Sequence, residues 1–207
     1  MRVLLVNANR FKQPWPVIPF GLCCVAASVE KAGHEVRVLD LCFSKKPSSD
    51  IRYTVKAWHP EIVGVSIRNI DNGTGYNTLF LLDETKSEVI SPLKDVFHGP
   101  IIIGGPAVGI SGAEILDFLD LRYAIRGDGE TAMIEFLERT KDGRQLEGLG
   151  GLVIRENGHI VEDNTPLRVE ILNTLPFVEP QHYINLKPYQ RFDSPMQIQT
   201  KRGCALK

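Results

Sequence analysis

No stretch of the chain approaches the roughly 18 consecutive apolar residues that a membrane-spanning helix requires. The first residues also lack the charged start, apolar middle and small-residue cleavage site of a secretory leader. Both absences point away from a membrane, and the cytoplasm is the expected compartment. An excess of one charge is missing too: 24 basic side chains stand against 25 acidic ones, a formal net charge of −1. Electrostatics therefore give no reason to expect nucleic acid or an anionic membrane as a partner. Cysteine is scarce. Cys23, Cys24, Cys42 and Cys204 show none of the paired short spacings of a zinc site, and no disulfide framework is expected. The first three sit in apolar sequence and read as small hydrophobes. Neither GxxxxGK[ST] nor GxGxxG follows the first apolar run, which argues against an ordinary nucleotide-binding domain. Internal repeats and low-complexity tracts are absent as well.

What is present is a chain of 207 residues, 43% hydrophobic and 24% charged, enough to form a core. Five short, nearly continuous apolar runs read as strands: Arg2 to Val6, Glu35 to Leu41, Ile62 to Ile67, Ile101 to Ile103 and Arg122 to Arg126. Stretches of helical composition alternate with them: Phe20 to Lys31, Ser49 to Trp58 opened by Ser or Asp, Asn77 to Phe97, Ser111 to Leu119 and Glu130 to Thr140. Strands apolar on both sides must be buried on both, so the pattern predicts an α/β domain, a doubly wound parallel five-stranded sheet with a flavodoxin-like or Rossmann-like winding, over residues 1–145. Residues 146–195 read as a β-hairpin and a Pro-rich linker. In the hairpin, Gly150 to Arg155 and His159 to Glu162 flank an Asn157-Gly158 turn. The linker is too aromatic, with Phe177, Tyr183, Tyr189 and Phe192, for a free tether, and is expected to pack on a neighbouring surface. Met196 to Thr200 reads as the start of a new strand.

In an open parallel sheet, ligands bind beyond the carboxyl ends of the strands, where the strand order reverses. That rule selects five loops, Asn7 to Pro19, Leu41 to Pro47, Ser66 to Tyr76, Gly104 to Gly109 and Gly127 to Glu130, with Asn7, Asn9 and Arg10 offering polar groups in the first and Ser66, Arg68, Asn69, Asp71 and Asn72 in the third. The paired Gly104 and Gly105 would let a bulky group approach the backbone, or would simply make a tight strand-to-helix turn. The polar cluster from Ser66 to Asn72 reads as a binding loop or as a solvated turn. None of the five histidines falls at this edge, and all read as surface or structural residues.

Taken together, the opening RVLLVNAN, the segment IPFGLCCVAASVEKAGHEVRVLDL, the strand EIVGVS, the turn IIIGGPAVG, the segment YAIRGDGETAMIEFL, the hairpin GGLVIRENGHIV, the LPF linker and the closing TKRGC resemble the N-terminal domain of cobalamin-binding radical S-adenosylmethionine (SAM) proteins. The resemblance implies a doubly wound domain holding cobalamin at its carboxyl edge, with Asn7, Asn9, Ser66, Arg68, Gly104, Gly105, Gly127 and Glu130 around the cofactor. It further implies that residues 196–207 begin a radical SAM barrel, that Cys204 is the first ligand of a CxxxCxxC [4Fe-4S] motif, and that this motif is cut through after Lys207. On that expectation the fragment performs no radical chemistry itself. The cluster and S-adenosylmethionine would belong to the full-length protein, a methyltransferase or related alkyl-transfer catalyst, whose own radical SAM domain is this domain's partner. Cobalamin domains commonly carry a DxHxxG motif that supplies histidine to cobalt, and here it is absent. Base-off binding is therefore expected, with Arg68 under the corrin. A domain that has lost cobalamin, and a corrinoid carrier or ligand sensor, are the alternatives.

Overall fold

The computed structural model describes residues 1–169, 171–199 and 201–202. The apolar runs form parallel strands β1 (Arg2–Asn7), β2 (Glu35–Asp40), β3 (Ile62–Ser66), β4 (Ile101–Gly104) and β5 (Tyr123–Ile125), followed by antiparallel β6 (Leu152–Glu156) and β7 (His159–Asp163). All seven lie in one sheet, ordered β2-β1-β3-β4-β5-β6-β7. Successive side chains of a strand point to opposite faces, and the core divides accordingly. Val3, Leu5, Ile62 and Ile102 pack under α1 (Phe20–Lys31) and α6 (Gly129–Lys141). Leu4, Val63, Val65 and Ile103 pack under α2 (Pro47–Trp58), α3 (Leu81–Thr85), α4 (Ser91–Lys94) and α5 (Pro106–Leu119). Both faces are covered, as the two-sided apolar strands require.

Several boundaries differ from the sequence reading, each for a local reason. Helix α2 is opened by Pro47 rather than by Ser or Asp, because proline's fixed φ suits the first helical position, where its missing N–H costs nothing. The expected helix from Asn77 begins only at Leu81, since Asn77 holds a left-handed φ of 56°. It then widens into a π-helical turn, Lys86–Ile90, before α4. Pro92 cannot donate to the carbonyl four residues back, and the widened turn directly precedes it. The loop expected from Gly104 to Gly109 closes after Gly105, since α5 starts at Pro106; Ser111, at φ −136° and ψ 50°, is a kink inside that helix.

The hairpin turn is as read, with Asn157 at φ 50° and Gly158 at φ 83°, the positive angles of a primed two-residue turn. Its strand β6 pairs with β5 and so prolongs the same sheet. The aromatic linker does pack on a neighbour. Tyr189 of α7 (Lys187–Gln190) is 1% exposed in a cluster with Ile18, Cys23, Cys42 and Ile184. Residues 196–199 have no regular structure, contrary to the strand expected at Met196. A strand needs a neighbour for its backbone groups, and among the described residues none pairs with this segment.

Candidate functional site

The strand order turns back between β1 and β3: the chain leaves β1 for β2 on one side and later enters β3 on the other. Loops after these two strands diverge, and the gap between them opens into a cavity of about 630 Å³. It runs from the carboxyl rim down between the sheet and helices α1 and α6, reaching Leu5, Gly64, Ile102, Val25 and Met133. All eight residues selected from the sequence, Asn7, Asn9, Ser66, Arg68, Gly104, Gly105, Gly127 and Glu130, line this one cavity.

Their local roles are distinct. Asn7 ends β1; its Nδ2 donates to Asp40 Oδ1 at 2.8 Å and its Oδ1 accepts the Asn9 backbone N–H at 3.2 Å. Asn9 is thereby held at the rim, 7% exposed, and its own Nδ2 has no acceptor among the described residues. A buried donor left open next to a cavity is costly unless a ligand or water takes it. Ser66 ends β3 and its carbonyl accepts the Ala8 N–H at 3.1 Å, tying the two diverging loops together at their roots. Arg68 is exposed on the rim, with Nη1 donating to Asn69 Oδ1 at 2.9 Å.

The glycines divide by cause. Gly105 has φ 99°, and a Cβ there would lie 2.7 Å from the Ile67 carbonyl oxygen. Gly127 has φ 85°, and its Cβ would meet the Leu167 oxygen at 2.6 Å. Both are demanded by neighbouring backbone. Gly64 was missed in the sequence. A Cβ there would lie 2.7 Å from Leu5 Cδ2, on the floor of the cavity, so its bareness shapes the space available. The signal was legible as a lone glycine inside the apolar strand IVGVS.

Glu130, in the first turn of α6, is 3% exposed. Arg202 reaches it from the far end of the described chain, with Nη2 donating to Oε1 at 2.7 Å and Nη1 lying 3.4 Å from Asp128 Oδ1. Burial depresses the Arg202 pKa, but the hydrogen bond and charge of Glu130 and the charge of Asp128 outweigh it, and the net shift is upward. Behind this pair, burial pushes the Cys24 thiol up to about 11, with the Glu130 charge adding and Arg202 opposing. Arg202 and its neighbours Gln197 and Gln199 also line the cavity. Nothing in the local sequence signals this, because the contact spans 72 positions. Cys204 lies outside the described residues. Among those described, no group of three or more His, Cys, Asp or Glu side chains could hold a metal ion, and no helix is long and apolar enough to cross a membrane.

This is a doubly wound α/β ligand-binding domain, with its crevice at the switch point and a channel descending beside the central strands. The sequence matches the B12 binding domain over residues 8–137, and the chain belongs to that family. It is 26% identical over 168 residues to tryptophan 2-C-methyltransferase of Streptomyces laurentii, covering 79% of this chain and 28% of that protein. It is also 26% identical over 188 residues to an uncharacterized methyltransferase of Pyrococcus horikoshii, covering 90% of this chain and 38% of that protein. The chain thus spans well under half the length of either relative. Among solved structures, the radical S-adenosylmethionine methyltransferase TsrM from Kitasatospora setae, with cobalamin and a [4Fe-4S] cluster bound, matches with a TM-score of 0.73 at 26% identity, over 79% of this chain and 30% of that one. The cobalamin-dependent S-adenosylmethionine radical enzyme OxsB with aqua-cobalamin and S-adenosylmethionine bound shares the fold, with a TM-score of 0.73 at 17% identity, over 98% of this chain and 27% of that one.

Proposed function

We propose that this chain is the cobalamin-holding domain of a radical SAM methyltransferase or related alkyl-transfer enzyme, and that it holds cobalamin base-off. The observation that carries the base-off reading is that no histidine stands among the described residues lining the crevice. The residues present fit the cofactor. A cavity of about 630 Å³ lies in the range of small-molecule sites and suits the nucleotide tail, with the flat corrin left to the open rim. The bare Gly64 keeps the channel floor clear, and the unspent Asn9 Nδ2 donor suits a corrin amide carbonyl. When bound, cobalamin supplies a cobalt centre able to carry and hand over a methyl group.

The chain's own part is to bind, orient and tune. Asn7, anchored by Asp40, sets the loop that presents Asn9. Ser66 offers a hydroxyl beside the Gly104-Gly105 turn, which admits the tail. Arg68, exposed at the rim, would bring a cation to the bound cofactor and would disfavour a donor ligand on its metal. Gly127 and Glu130 complete the wall. Cys204 would be the first [4Fe-4S] ligand in the longer protein, alongside S-adenosylmethionine and the radical SAM domain that is this domain's partner; the present fragment would be non-catalytic.

Incubation with hydroxocobalamin followed by desalting tests the reading. The eluted protein should carry a base-off visible spectrum, and Arg68→Ala should bind cobalamin with an altered spectrum. Colourless protein would overturn cobalamin binding in favour of a domain without the cofactor, and an unaltered Arg68→Ala spectrum would show that Arg68 does not act on the cofactor.

A further inference from the structure

Resting on the cobalamin reading, we propose that the floor of the channel selects the base at the end of the cofactor's tail, taking a benzimidazole and rejecting a purine. The strand register stacks the sheet side of the cavity into tiers. Asn7, Ser66 and Gly104 stand side by side at the ends of β1, β3 and β4, and two residues deeper stand Leu5, Gly64 and Ile102. A strand rises about 3.3 Å per residue, so these tiers lie roughly 7 Å apart, close to the span of one fused bicyclic ring. Below them the space is closed, because Val3 and Ile62, each 0% exposed, pack in the core under α1 and α6. The channel thus has a polar tier near its mouth and an apolar tier at its end.

The end tier offers nothing to a polar edge. Leu5, Gly64 and Ile102 form its floor and Met133 of α6 its roof, with Met133 Cε 3.7 Å from the point where a Gly64 Cβ would stand. None of these four side chains carries nitrogen or oxygen. The backbone there is already paired, because β3 is bonded to β1 on one side and to β4 on the other. Asn7 and Ser66 belong to the upper tier, and Glu130 stands nearly a turn closer to the start of α6 than Met133. A benzimidazole presents only carbon on its six-membered ring, since both nitrogens lie on the ring that joins the sugar. Adenine adds an amino group and ring nitrogens to its six-membered ring, and each would give up water in this tier without gaining a partner. Gly64 makes the notch that admits a ring at this depth, since a Cβ there would come within 2.7 Å of Leu5 Cδ2.

Absorbance titrations with three corrinoids test the selection: hydroxocobalamin, whose base is dimethylbenzimidazole; its counterpart with adenine in that place; and cobinamide, which lacks the nucleotide. The unsubstituted chain should bind the benzimidazole form roughly tenfold to a hundredfold more tightly than the adenine form. Equal affinities, or tighter binding of the adenine form, would overturn the proposal. Gly64→Ala presses only on the end of a flexible side chain and should fold; it should weaken hydroxocobalamin binding about tenfold and leave cobinamide binding unchanged. An undiminished affinity for hydroxocobalamin, or an equal loss with cobinamide, would deny Gly64 a part in seating the base and overturn the proposal. Met133→Gln, close in shape, places an amide over the end tier and should shrink the preference for benzimidazole about threefold or more; an unmoved ratio would count against the apolar roof as its source. If neither nucleotide-bearing corrinoid binds, the cofactor reading falls and the tier is judged by the free bases. Dimethylbenzimidazole should then shift the methyl resonance of Met133 in the carbon-labelled chain at a concentration where adenine does not, and no shift, or an equal one, would overturn the selection.

Discussion

Gly105 stands at φ 99° and ψ 177°, a conformation almost confined to glycine. Its would-be Cβ points at the Ile67 oxygen, 2.7 Å away, and at Ser66 Oγ, 3.0 Å away. Backbone on both sides is pinned by the Ile67 N–H bond to the Gly104 oxygen at 2.8 Å and the Ala107 N–H bond to the Ile67 oxygen at 3.2 Å, so neither partner can yield. Gly105→Ala should therefore lose on the order of 1–3 kcal/mol from backbone strain, with the clash adding to it. Urea unfolding checks this, and a midpoint equal to the parent's would refute it. Gly64 meets only the end of a side chain, Leu5 Cδ2; its value lies in the space it leaves. The glycine pair was visible in the sequence, but which glycine serves the turn and which serves the cavity depends on what each Cβ would strike, and adjacency in sequence carries no such information.

At the scale of elements, α7 is a short helix from the linker whose attachment to the domain is one aromatic anchor. Tyr189 is 1% exposed, sits edge-on to Phe43 with ring centroids 4.8 Å apart, and donates its hydroxyl to Asp40 Oδ2 at 2.8 Å. Asp40 also takes the Asn7 side-chain N–H and the Cys42 backbone N–H, so one carboxylate joins the linker to the root of the crevice. Tyr189→Phe keeps the ring and removes only the hydroxyl. It should cost about 1.5–3 kcal/mol, the range for a hydrogen bond to a charged acceptor, and should speed proteolysis within residues 183–193. Unchanged unfolding and cleavage would show that the ring alone anchors the helix. That the linker would dock was legible from its aromatic content. Where it docks was not, because Tyr189 and Asp40 lie 149 positions apart.

At the scale of the whole molecule, burial governs how the chain responds to alkali. The Cys23 thiol is pushed up to about 12 and the Cys42 thiol to about 11, in each case chiefly by burial and then by neighbouring charge, with Cys24 shifted likewise to about 11. Burial, the Asp40 charge and its hydrogen bond drive the Tyr189 phenol in the same direction. A group whose pKa is raised on folding contributes stability that is complete below its unfolded value and lost as pH climbs toward its folded one. The thiols' unfolded value is 9.0. Stability should hold to about pH 8.5 and then fall progressively through about pH 11. The urea midpoint measured at about pH 8 and about pH 10.5 checks it; equal midpoints would contradict the burial of these thiols. The same burial makes all three thiols poor nucleophiles near neutrality, in keeping with their reading as small hydrophobes.

The alternation of strands and helices, the parallel sense of the first five strands and the rim at which a ligand would sit were determined by the chain's own pattern. These follow from period and apolarity within short windows, and from a topological rule that needs only their order. The annexation of the hairpin by β5, the depth of the channel at Gly64 and the meeting of Arg202 with Glu130 were decided only in three dimensions. Each depends on which surfaces come to face one another across tens of residues, and on the free energy of covering an open strand edge or compensating a buried charge, quantities that exist only once the chain has closed on itself.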